Sequence, residues 1–215
     1  MSARYQEWLK HVFDHEVRGH LLPQWYFDDD APVFETSDDE IVELISQTFQ
    51  NAGKDLIKYT DAQVDQGIWY FVSMSGSNFL HSLESSEVPI KKRLKAIENI
   101  FHLYSDYFAK RCDETLSHLS EEGAPLNSSC YMFWDISPLT VSKTQEIQNA
   151  VLNVLEKILT INHRACRESA FHGLSEMFFS RCEEMQKIID NFLGKTKLDE
   201  KLLTYARDAR EGRVQ

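Results

Sequence analysis

The stretch QEIQNAVLNVLEKILTINHRACRESAFHGLSEMFFSRCEEMQKIIDNFLGKTKLDEKLLTYARDAREG, residues 145–212, decides the fold. Ile147, Val151, Val154, Leu155 and Ile158 fall on one face of a helix with 3.6 residues per turn, and so do Cys166, Ala170, Leu174 and Met177. Met185, Ile188, Ile189 and Phe192 mark a third helix with Gly194 at its end, and Leu202, Leu203 and Ala206 a fourth that stops before Gly212. Short segments join them, and short connections make consecutive helices antiparallel neighbours.

Outward from this stretch the chain keeps the helical period but loses the regularity. Tyr5, Trp8, Leu9, Val12 and Phe13 predict an amphipathic helix over residues 3–17 that ends near Gly19. From His20 to Thr36 no period holds; Pro23 and Pro32 flank Asp28-Asp29-Asp30 amid Trp25, Tyr26, Phe27 and Phe34. Ser37-Asp38-Asp39-Glu40 reads as a capping box, Ile41, Leu44, Ile45, Thr48 and Phe49 as the buried stripe behind it, and Gly53 as its stop. Thr60 and Asp61 open a third helix through Val64, Ile68 and Phe71. Pro89 suits the first turn of the longest helix, with Leu94, Ile97, Phe101, Tyr104, Phe108, Cys112 and Leu116 in period and room for a kink. Ser128 to Trp134 is apolar all round, so a short buried helix is expected there, a strand being the alternative.

These readings predict an all-α fold of eight or nine helices in a single domain, residues 1–215. It has an irregular part over 1–140 and a regular part over 141–215. In helix length and spacing, residues 140–211 resemble the HEAT and armadillo-type α-solenoids, which implies stacked helical hairpins at the C-terminus. The segments CYMFWD (130–135) and CRESAFHGL (166–174) resemble blocks of uncharacterised bacterial proteins, a resemblance that carries no activity.

Composition narrows the function classes. With 215 residues, 42% hydrophobic and 27% charged, and with only 8 Gly and 5 Pro, the chain can bury a core without staples and is neither collagen-like nor mostly disordered. The formal charge of -11 argues against nucleic acid, whose phosphates call for cations. No apolar run approaches the roughly 20 residues of a spanning helix, and the N-terminus lacks a secretory pattern. Four cysteines without a CxxC pair fit reduced thiols and a cytoplasmic protein. Charge is uneven: residues 19–53 carry eight acids and no Lys or Arg.

Several constellations invite chemistry. His15 to His20 resembles H-E-x-x-H, but its histidines are five apart and diverge by about 140° on a helix. His11 and His15 have the i, i+4 spacing of metal ligands, and Asp28 offers a third, although a solvated pair is the plainer reading. The Asp28-Asp29-Asp30 run lacks the interleaved ligands and Gly of a calcium loop. Cys130 or Cys166 with His163 or His172, and Ser169, are parts for nucleophilic catalysis without a local signature, and small residues there also suit close helix packing. Asp135 follows the most apolar stretch and is either a carboxylate of shifted pKa or a cap. Lys91, Lys92, Arg93 and Lys95 form a basic patch that suits an anion or pairs with the acidic window.

Together these point to a non-catalytic protein-binding module without cofactor, of the inhibitor or immunity type. Its expected contact residues are Trp25, Tyr26, Phe27, Asp28, Asp29, Asp30, Phe34, Asp38 and Asp39, presented to a partner with a basic surface. The alternative is a metal-binding enzyme or regulator built on His11, His15 and the Asp28 to Asp30 loop.

Overall fold

Every regular element among the described residues of this computed structural model, 1–18 and 24–214, is helical. Gly19 as a helix end, His20 and Pro23 lie outside them. The first helix, α1 (Ala3–Phe13), is shorter than its period suggested, because Asp14 leaves the helical region after Ser2 has capped the Tyr5 amide. In α2 (Asp38–Gln50) the Ser37 hydroxyl accepts the Glu40 amide at 3.2 Å, as a capping box requires. The reciprocal half is missing. The Glu40 carboxylate turns instead to the Arg4 guanidinium at 3.1 Å and the Thr36 hydroxyl at 2.8 Å, tying α2 to α1.

Gly53 does not stop this helix; it sits inside the short α3 (Ala52–Asp55). A Cβ there would lie 2.6 Å from the carbonyl oxygen of Asp106, so a glycine allows that backbone to come close. The complete capping box falls on α4 (Asp61–Val72), where Thr60 and Gln63 serve each other's backbone amides. The long helix runs as α5 (Ile90–His102), a π-helical segment over Leu103–Phe108 and α6 (Ala109–Arg111). Its irregularity is thus an inserted π turn, and Leu116 lies beyond its end. The apolar segment resolves as a helix, α7 (Leu126–Ile136), not a strand.

The C-terminal part contains α8 (Gln145–Leu159), α9 (Arg164–Glu176), α10 (Phe178–Leu193) and α11 (Glu200–Arg210), the four helices of the opening stretch. Helix α9 packs against α7, α8, α10 and α11, which explains why ten of its thirteen residues are buried. Gly173 is essential to this crowding: a Cβ would lie 2.6 Å from the Trp134 ring of α7. The buried core continues from Tyr5 on α1 to Val214 after α11. Among the described residues no helix is long and apolar enough to cross a membrane.

Candidate functional site

The irregular segment after α1 is fastened by its aromatic residues. Trp25 is 5% exposed and lies flat on the imidazole of His15, with ring centroids 3.6 Å apart, and it also meets Tyr70 of α4 at 4.6 Å. Phe34, 6% exposed, meets Trp8 of α1 edge-on at 5.3 Å and carries the Arg4 guanidinium over its face at 4.1 Å. Tyr26 is half-buried against Tyr70, and Phe27 stands 56% exposed. Of the four expected aromatic contacts, Trp25 and Phe34 therefore belong to the core, and Phe27 is the one most open to solvent.

These residues also form one wall of a cleft of about 1080 Å³, closed on the other side by residues 76–85. Trp25, Phe34, Tyr70 and Phe79 line its aromatic part, and Glu35, Asp38 and Glu84 supply carboxylates. No Lys or Arg is among its described lining residues. Glu84 Oε1 and Trp25 Nε1 are buried without a hydrogen-bond partner among the described residues. Aromatic rings and carboxylates both attract positive charge; Glu35 and Asp38 are exposed, and Glu84 is half-buried.

No family model, curated protein or solved structure matches this chain.

The acidic window is partly neutralised from within. Asp28 takes the Arg18 guanidinium through both carboxylate oxygens, at 2.7 and 2.5 Å, and the Arg18 bonds hold its carboxyl below the usual range. Lys92 bridges Asp39 and Glu43 at 2.8 and 2.6 Å, and Glu40 goes to Arg4. Asp38 accepts the Ser82 hydroxyl at 2.9 Å, which links the two walls of the cleft. Asp29, Asp30 and Glu35 are exposed. Of the basic patch, Lys92 thus finds its counter-charge on α2, and Arg93 is buried with Nη1 3.5 Å from the Leu83 carbonyl.

The two N-terminal histidines are engaged elsewhere. His11 Nε2 meets the Tyr70 hydroxyl at 2.9 Å, and burial, reinforced by His15, pushes its pKa down to about 4. His15 Nε2 donates to the His11 carbonyl at 2.6 Å. Among the described residues these histidines and Asp28 do not come together at metal-ligand spacing.

Of the nucleophile candidates, Cys130, Cys166 and His163 do converge. Contact with the Cys130 thiol, and then with His163, pulls the Cys166 pKa down, whereas burial pushes Cys130 up. Both thiols are fully buried, so no substrate reaches them. Ser169 is bonded to the Tyr104 hydroxyl at 2.8 Å and to the Cys130 carbonyl, which makes it part of the α7 to α9 packing.

Sequence reasoning missed Tyr70, Phe79 and Glu84 as cleft residues. Phe79 and Glu84 belong to a Ser- and Asn-rich connection without periodicity, and only the long-range contact with residues 24–38 gives them a role.

Proposed function

We propose that the protein is a non-catalytic binding module whose cleft between residues 24–38 and 76–85 receives a basic segment of a partner protein. The observation that carries this reading is the lining itself: the aromatic side chains of Tyr26, Tyr70 and Phe79 beside Glu35, Asp38 and Glu84, with no Lys or Arg among the described lining residues. An Arg or Lys side chain entering there would meet ring faces and carboxylates together. Exposed Phe27, Val33, Asp29 and Asp30 extend the same character onto the outer surface, where acids steer a basic partner and apolar groups anchor it.

In this reading the C-terminal hairpins act as a HEAT-like support for the N-terminal binding half. Four free cysteines, three of them buried, fit a reducing cytoplasm. An inhibitor or immunity-type role follows if the partner is a basic enzyme whose surface the cleft covers. The test is affinity co-purification from the source cell with wild type and a Glu35→Lys, Asp38→Lys double variant. A salt-sensitive basic protein retained by wild type and lost by the variant supports the reading; identical retained proteins refute it.

A further inference from the structure

Outside the cleft lining, α7 and α9 bring together three groups that the cleft does not use. His172 and Glu176 are four residues apart on α9 and so share one face, and Asp135 comes from the last turn of α7. One ligand atom from each, the His172 ring nitrogen and a carboxylate oxygen of Asp135 and of Glu176, lies within 4.8 Å of the others. We propose that Asp135, His172 and Glu176 bind a divalent first-row transition metal ion such as Zn²⁺ or Mn²⁺.

The second observation is the state of His172. Its side chain is fully buried, yet Nε2 has no hydrogen-bond partner among the described residues. Glu176 Oε1 stands 3.7 Å away, too far for a hydrogen bond. A buried ring nitrogen left in this condition is destabilising unless something meets it. On the opposite side Nδ1 sits 3.0 Å from the Tyr205 hydroxyl, which in turn reaches the Tyr131 hydroxyl at 3.1 Å. A proton on Nδ1, donated to the Tyr205 hydroxyl, would leave the lone pair on Nε2, the nitrogen 3.7 Å from Glu176 Oε1. Metal-binding histidines are oriented by the same kind of partner.

Ligands around an ion at about 2.1 Å stand roughly 3.0–3.4 Å from each other, so atoms now within 4.8 Å of one another need to close by at most about 1.4–1.8 Å. Asp135 is exposed and Glu176 half-buried, which lets both carboxylates move and leaves positions for water. One imidazole with two carboxylates favours Zn²⁺ or Mn²⁺ over the all-oxygen sites of Ca²⁺ and Mg²⁺. The site is independent of the basic-partner reading, since none of its residues lines the cleft.

The test is equilibrium dialysis of untagged, chelator-stripped protein against Zn²⁺ and Mn²⁺, followed by elemental analysis and calorimetric titration. One equivalent of metal is expected for wild type. Asp135→Asn and Glu176→Gln, substitutions at groups open to solvent, should each weaken it at least tenfold with the circular dichroism spectrum unchanged. Tyr205→Phe, which keeps all three ligands, should weaken it by about tenfold through loss of the Nδ1 partner. His11→Gln should leave binding unchanged. Substoichiometric uptake by wild type, or equal affinity in the Asp135→Asn and Glu176→Gln variants, would overturn the proposal.

Discussion

Trp25 and His15 lie face to face, 8° from parallel with ring centroids 3.6 Å apart. This stack joins residues after the first helix to the segment that forms one wall of the acidic cleft. Trp25 consequently shapes the cleft from a position in the core. Truncation of a large buried aromatic side chain costs about 3–5 kcal/mol, whereas Phe27, exposed on the same segment, should tolerate alanine within about 0.5 kcal/mol. Urea denaturation of Trp25→Ala and Phe27→Ala checks the contrast; equal midpoints for the two would refute the placement.

Glu168 is fully buried and accepts the Ser117 and His118 amides at 2.9 Å each and the His118 ring at 2.6 Å. It clamps the turn before α7 onto α9. Replacing it with alanine strands two amides and an imidazole, and should cost about 3–5 kcal/mol in urea denaturation at neutral pH. A loss below about 1 kcal/mol would show that the clamp adds nothing.

Gly173 faces Trp134 so closely that a Cβ at 2.6 Å forces one of the two helices to shift. Gly173→Ala, favourable for an isolated helix, should therefore destabilise the protein by about 1–3 kcal/mol in a thermal melt. Stabilisation would mean that α7 and α9 are less tightly packed.

Two groups make stability respond to pH with opposite sign. His11 titrates near pH 4 in the folded chain against 6.5 when free, so the unfolded chain binds more protons between these values and His11 lowers stability as pH falls. Burial raises Asp65, which accepts the Ser129 amide at 3.1 Å, from 3.8 to about 6; its folded form takes up the proton first, and its contribution is lost as pH rises through 6. Relative to wild type, His11→Gln should gain stability on acidification from pH 7 to 4, and Asp65→Asn should lose it. Denaturation at both pH values reads the two slopes, and slopes of the same sign would contradict the assignment.

Sequence periodicity revealed the helices and little of what lies between them. Helices α8 to α11 were legible because each has a repeating apolar face. Helix α9 was legible as a helix but not as the one enclosed by four others, since Glu168, Ser169 and His172 read as polar until their partners on other elements are known. The π turn at Leu103–Phe108 leaves no periodic mark, and Leu116 continued the pattern past the true helix end. The acid count over residues 19–53 located the acidic wall, but Arg4, Arg18 and Lys92 arrive from outside that window and meet several of its carboxylates. Phe79 and Glu84 complete the cleft through contacts that no local pattern encodes.

Binding of a basic segment in the cleft is read by calorimetric titration with an Arg- and Lys-rich peptide. Wild type should bind saturably, with affinity falling several-fold as ionic strength rises from about 0.05 to 0.3 M and the Debye length shortens. The Glu35→Lys, Asp38→Lys variant should release no heat of binding. Absence of binding by wild type, or unchanged affinity in the variant, would contradict the account.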